Sequence, residues 1–265
     1  MDLTALLSAK TAIVAAGFAM LLIAERVWPA EQRLGGWPRV GRNGGLLVIN
    51  MALAPLIVVP LAAWATTWHV GIRPDWWTGA WAIALDLVLL DLWLYGWHRA
   101  NHRVPFLWRF HEVHHRDRFL DVTTAVRFHA GEVVLSAFAR MIPIALLDIP
   151  LTSVLLLEGL LLIATGFHHS NLKLPRAFER VLSWLIVTPS IHWVHHHNIV
   201  RDTDSNYATV LSCWDRIFRS RSPNPRTRAM PLGVQGEDEL SFPRLLIQPF
   251  MSRRRAPGPD SAPTR

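Results

Sequence analysis

The sequence predicts an all-α, polytopic membrane bundle of four to five spans with a cytoplasmic histidine-rich helical cap. Three observations predict it. Long apolar stretches recur in a chain of 265 residues that is 51% hydrophobic, with a mean hydropathy of +0.22. Charged residues make up only 18%, where an ordinary soluble domain carries about 25%. Histidine and tryptophan each occur thirteen times. This composition excludes intrinsic disorder. The single cysteine, Cys213, excludes an intrachain disulfide framework and a cysteine-based zinc finger.

The apolar stretches come in order. Thr11 to Trp28 is the first to approach the roughly 20 residues a bilayer needs. Asp2 and a lone Lys10 make it a poor signal peptide, so it reads as a retained anchor. Leu46 to Trp68 has no charge, and Gly79 to Trp97 carries only Asp86 and Asp91. Glu132 to Ile149 and Leu151 to Phe167 flank Pro150. Asp86 and Arg140 lie deep and are candidates for a pair across helices. Trp28, Trp37, Trp64, Trp68, Trp76, Trp77 and Trp97 mark the expected interfaces as an aromatic belt. Phe178 to Val194 is too short to span and reads as interfacial. The organisation is then N-terminal membrane helices (1–78), a histidine-rich region with further membrane helices (79–219) and a partly flexible tail (220–265), within which Phe242 to Phe250 is expected to dock.

Charge orients the bundle. Arg26, Arg33, Arg39 and Arg42 follow the first stretch, and only Arg73 follows the second. Six arginines lie between His98 and Gly131, none lies near Pro150, and the tail is arginine-rich. The alternation follows the positive-inside rule, with the N-terminus outside and the histidine clusters cytoplasmic. His69 falls on the opposite side. The net charge of +7 thus tracks sidedness, with no recognition helix for nucleic acid.

The chemistry lies in the histidines. His98 and His102 form HxxxH. His111, His114 and His115 form HxxHH, as do His192, His195 and His196, with His197 adjoining. His168 and His169 close the fifth stretch, and His129 stands alone. Residues at i, i+3 and i+4 share a helical face, and neutral imidazole is the commonest metal ligand. So many basic nitrogens in one place make sense if cations hold them. Eight box histidines and one of the His168–His169 pair are enough for two metals, and one metal cannot use them all. Asp91, Tyr95, His98 and His102 form one stripe, which suits Asp91 to accept a histidine N–H. His129 is a ligand or a hydrogen-bond partner.

Two other readings stay open. His111-Glu112-Val113-His114-His115 also reads as HExxH, an intramembrane zinc metalloprotease with Glu112 as base. A non-enzymatic haem protein or metal transporter needs only one or two histidine pairs or ligands at mid-membrane.

From Asp91 to Phe218 the chain resembles the fatty acid hydroxylase/sterol desaturase superfamily of membrane oxygenases. The resemblance rests on Asp91-Trp-Leu-Tyr-Gly-Trp-His98-Arg-Ala-Asn-His102, Phe110-His111-Glu-Val-His114-His115, Arg127-Phe128-His129, His169-Ser-Asn171, Thr188-Pro-Ser-Ile-His192-Trp-Val-His195-His196, Asp204-Ser-Asn-Tyr207 and Trp214-Asp-Arg-Ile-Phe218. It implies a cytoplasm-facing dimetal site, usually di-iron, that activates O2 to hydroxylate or desaturate a lipid C–H bond. The implied ligands are His98, His102, His111, His114, His115, His169, His192, His195 and His196, with His168 as an extra candidate. Asp91, Tyr95, Asn171 and His129 are the expected supporting residues. Family members carry His-Pro where this chain has His129-Ala130. Zinc is able to replace labile iron in purified material. The expected partners are a lipid from the bilayer and a separate electron-transfer protein. The expected location is a bacterial inner membrane.

Overall fold

The computed structural model describes residues 3–68, 70–228 and 230–251. His69, expected on the side opposite the histidine clusters, and the end of the partly flexible tail lie outside the described residues. The described residues are helical, with isolated β-bridges and no longer strand.

Helix α1 (Leu3–Val27) precedes α2 (Gly36–Leu53), which runs through one π-helical turn (Ala54–Val58) into α3 (Val59–Ala65). Pro55 and Pro60 lie at this join. Proline has no N–H to donate, and a π-turn absorbs the missing bond without ending the helix. Next come α4 (Ala80–Arg103), α5 (Pro105–His115), a 3-10 turn (Val122–Val126), α6 (Ala130–Leu146) and α7 (Leu151–His169). Short helices follow: α8 (Arg176–Leu182), α9 (Pro189–His195), α10 (Val200–Thr203), α11 (Cys213–Ile217) and α12 (Phe242–Ile247).

Four segments are long and apolar enough to cross a membrane: Thr4–Val27, Gly36–Ala65, Ala80–Arg103 and Leu151–His169. Their outward faces expose Ile13, Met20, Ile23, Val48, Met51 and Leu56. Such a continuous apolar surface is costly in water and natural in lipid. The chain is an integral membrane protein. The remaining predicted span is α6, at 17 residues the lower limit for crossing. It packs on α3, α2 and α4. A core of Leu90, Leu94, Met141, Ile144, Val154 and Leu157 joins α4, α6 and α7.

Three sequence expectations change here. Asp86 pairs with Arg73 at 2.9 Å and accepts from Ser153 at 2.6 Å, whereas Arg140 lies by Glu158. Trp77 is buried under the Arg73 guanidinium, and Trp97 points inward to donate to Ser136 at 2.7 Å. Neither belongs to an exposed belt, although Trp28, Trp37, Trp64, Trp68 and Trp76 are exposed. The stretch Phe178 to Val194 divides: α8 and its exit expose Phe178, Val181 and Trp184, while α9 buries Trp193 and Val194.

Helices α4 and α7 end, and α6 begins, at the same end of the bundle. Here α5 and α9 each start on a proline at the first helical turn, Pro105 and Pro189. Proline is preorganised for that position, so each HxxHH box has a defined start. Helix α12 closes the base. A Cβ on Gly45 would lie 2.6 Å from the Phe242 ring, so only glycine admits this contact.

Candidate metal centre

The two HxxHH boxes share their histidines between two groups. His98, His102, His111, His115 and His195 form one, and His114, His169, His192 and His196 form the other. Within each group the candidate ligand nitrogens all lie within 4.8 Å of one another. On α5, His111 and His115 turn to the first group and His114 to the second. On α9 the assignment reverses, with His192 and His196 in the second group and His195 in the first. The i, i+4 pair and the i+3 residue of each box therefore straddle both groups.

The backbone fixes which nitrogen faces inward. His98 donates Nδ1–H to the Tyr207 carbonyl at 2.8 Å, and His195 donates Nδ1–H to that of Ser205 at 2.6 Å. His114 and His169 donate to the carbonyls of Arg127 (3.2 Å) and Thr165 (2.8 Å). His111 donates Nδ1–H to Glu132 Oε1 at 2.7 Å. A carbonyl only accepts, so Nδ1 holds the proton and Nε2 is left with a lone pair.

Those lone pairs meet. His98 Nε2 lies 3.2 Å from His111 Nε2, and His114 Nε2 lies 3.1 Å from His169 Nε2. With both Nδ1 atoms protonated, no neutral tautomer places a hydrogen between either pair. A proton there would create a buried imidazolium. Burial first, then the neighbouring imidazoles, hold the ring pKa values of His114, His115, His192, His195 and His196 well below the ordinary histidine value. His115 is fully buried, and neither of its ring nitrogens has a hydrogen-bond partner. Each group is a set of neutral nitrogen donors directed at a common point, which fits a borderline transition metal.

Residues outside the two groups have other work. His168 places its ring 4.0 Å from that of His192 without joining either group. His129 caps α6: Nδ1 accepts from Gly131 N–H at 2.9 Å and Nε2–H donates to the Leu246 carbonyl at 3.0 Å. Of its two sequence readings, the hydrogen-bond partner is the one seen. His197 binds Asp202 at 2.7 Å. Asp91 accepts from Val210 N–H, Leu211 N–H and Trp214 Nε1–H rather than from a histidine. The Tyr95 hydroxyl meets Ser220 at 2.8 Å, and the Asn171 side chain ties to the Glu31 backbone. Both anchor loops around the site. Glu112 pairs with Arg116 and enters neither group, so it is not placed as the base that HExxH needs.

Sequence reasoning missed Glu132 as the carboxylate that orients a histidine. Its signal was an acidic residue opening an apolar stretch, three residues after His129. It also missed the support beneath. Arg39 on α2 binds Asp117 at 2.6 Å and Asp121 at 2.7 Å, and reaches Thr124 and the Phe119 carbonyl. Arg127 Nε donates to the Val113 carbonyl at 2.9 Å and Nη1 to Asn43 at 3.0 Å. The Arg127 carbonyl that holds His114 is thereby fixed. Burial opposes ionisation of Asp117 and Asp121, but the Arg39 guanidinium overrides it and holds both carboxyls below their usual range.

A cavity of about 280 Å3 opens from the histidines between α2, α4, α6 and α7. His98, His111, His114, His169 and His192 form one end of it, and Leu47, Leu94, Leu161 and Leu162 line its walls.

Fold and site together define an integral membrane protein with a buried double histidine centre at one end of an apolar cavity. The model of the fatty acid hydroxylase family matches residues 81–220, more than half of the chain. The chain belongs to that family. It is 29% identical over 201 residues to ornithine lipid hydroxylase OlsE of Rhizobium tropici, covering 76% of this chain and 60% of the relative. It is 33% identical over 150 residues to alkylglycerol monooxygenase of Danio rerio, covering 56% of this chain and 32% of the relative. A cholesterol 25-hydroxylase-like protein of Danio rerio is 31% identical over 140 residues, 52% of this chain and 54% of the relative. The chain thus spans less than two thirds of the length of these relatives. No solved structure matches it.

Proposed function

We propose that this protein hydroxylates an unactivated C–H bond of a bilayer lipid with O2, using two metal ions, iron in the working enzyme. The facing lone pairs of His98 with His111, and of His114 with His169, carry this reading, because only an electrophile between them removes the repulsion. His98, His102, His111, His115 and His195 would hold one ion, and His114, His169, His192 and His196 the other. When bound, the metals supply the redox chemistry that activates O2. The relatives' names, two hydroxylases and a monooxygenase, favour oxygen insertion over desaturation.

The chain's own residues do the rest. Glu132 and four backbone carbonyls lock the imidazole tautomers and orient Nε2 inward. Leu47, Leu94, Leu161 and Leu162 keep the cavity dry and accept an alkyl chain. A lipid enters from the bilayer between the helices and reaches the histidines at their ends. Electrons come from a separate protein on the arginine-rich face. The arginine distribution supports a cytoplasmic site and an outside N-terminus, and the arginine-heavy composition supports a bacterial inner membrane.

The test is a product screen in vesicles of ether, acyl and sterol lipids with a reductant and isotopically labelled O2. Label in a lipid alcohol, absent with His114→Ala, is expected. An alkene without label would show a desaturase. No lipid product from metal-loaded protein would overturn the reading.

A further inference from the structure

The end of the cavity away from the histidines holds a charge the proposed chemistry does not use. On α6, Glu132, Ser136 and Arg140 form one stripe of the cavity wall at steps of four. The stripe runs from the carboxylate that orients His111 to the Arg140 guanidinium, about 12 Å further along the axis. Glu158 on α7 lies beside Arg140, and it is about 16 Å by helical rise from His169.

Arg140 is poorly compensated there. Its nearest approach to Glu158 is 3.8 Å, beyond hydrogen-bond reach. Glu158 is already held by Lys10 from α1 at 2.9 Å. Two cations thus share one carboxylate, leaving one formal positive charge among apolar helices. The side chains of Arg140, Glu158 and Lys10 are each less than a fifth exposed. The neighbouring wall is Leu94, Leu161 and Leu162, and the one carboxylate among the described residues lining the cavity, Glu132, is engaged with His111. An ionised side chain within a membrane helix is expensive, and the planar guanidinium is built to take a carboxylate or phosphate through two N–H groups.

We infer that Arg140 is a specificity-determining residue that binds the anionic oxygen group of the lipid, placing the alkyl chain along the cavity with a distal carbon at the histidines. This rests on the lipid-oxidising reading above. It adds that the substrate is an anionic amphiphile and that oxidation falls at a distance from the head set by the span from Arg140 to the histidines. Glu158, fixed by Lys10, stays beside the guanidinium only as a loose ion pair at 3.8 Å, and a ligand anion takes the guanidinium N–H groups instead. The ligand chemistry is one, an anionic oxygen group, whether a fatty carboxylate or a phosphate ester supplies it.

The test is equilibrium binding of labelled palmitate, hexadecyl phosphate and uncharged hexadecanol to the full chain in nanodiscs, metal-loaded and metal-stripped. A charge-assisted hydrogen bond to a desolvated guanidinium predicts at least about 10-fold tighter binding of one or both anions than of hexadecanol. Whichever anion binds tighter identifies the source as fatty acid or phosphate lipid. Arg140→Gln should bring the ratio close to one, and Arg140→Lys should restore part of it. Glu158→Gln should raise it, which tests the idea even if Arg140→Gln fails to fold. Equal affinities for all three lipids in the unmodified protein would overturn the inference. The anion preference is expected in stripped protein too, so its loss is separable from a failure of oxidation chemistry.

Discussion

The Arg39–Asp117–Asp121–Arg127 network and the histidine groups lie side by side, both polar and both buried, yet the first finds its partners within the fold, Arg127 Nη2 apart, and the second does not. Arg39 spends its donors on two carboxylates, a hydroxyl and a carbonyl. Arg127 binds Asn43 and the Val113 carbonyl. In the histidine groups the Nδ1 atoms of His98, His111, His114, His169 and His195 are satisfied, while Nε2 faces Nε2. Buried polar groups normally find partners, so a set satisfied on one side only is organised for something that arrives from outside. The network is support, and the groups are a site.

Perturbations should separate the two. The largest effect is expected at the ligands. His114→Ala should abolish lipid oxidation and remove metal, because His114 belongs to one group and sits on the box that supplies both. Arg39→Met should instead unfold the support: stranding Asp117 and Asp121 predicts a loss of about 3–5 kcal/mol, read as a fall in the denaturation midpoint of metal-free protein. Glu132→Gln lies between them. It keeps the fold but weakens the orientation of His111, and a loss of about 10–100-fold in metal affinity is expected, measured by competition with a chelator. The smallest effect belongs to Glu112→Gln: Gln keeps an acceptor for Arg116, which also holds Glu237 at 3.2 Å and the Asp238 carbonyl at 2.9 Å, so lipid oxidation should stay within about twofold. Peptide hydrolysis by the unmodified chain that is lost in Glu112→Gln and kept in His98→Ala would revive the metalloprotease reading.

The support should also answer to pH. The Asp121 carboxyl is held below its unfolded value of about 4. Its stabilisation is therefore complete above that value and is lost as pH falls through the depressed native value. The difference in thermal midpoint between the unmodified chain and Asp121→Asn should be largest near neutrality and shrink in acid. A difference that does not vary with pH would count against an ionised Asp121.

Much of this architecture is legible in the sequence because its signals are periodic. The spans appear as apolar runs, and the boxes show their shared faces at i, i+3 and i+4. The division of each box between two groups is not visible, since it depends on the angle at which α5 and α9 meet. Glu132 and the carbonyls of Tyr207, Ser205, Arg127 and Thr165 were hidden for a related reason. A carbonyl has no residue identity to read, and Glu132 becomes a partner of His111 only when α6 returns beside α5. Asp91 lies on the predicted stripe with His98 and His102, yet it binds the 210–214 loop, because a stripe is wide enough to face two neighbours. Long-range pairings, such as Arg73 in the α3–α4 connection with Asp86 on α4, need the packed bundle.

The most direct test is metal content by plasma mass spectrometry on anaerobically purified protein, beside His114→Ala and His98→Ala. The proposed centre predicts close to two irons per chain, or zinc in their place, with loss from both variants. A single zinc unaffected by His98→Ala, or no bound metal, would contradict it.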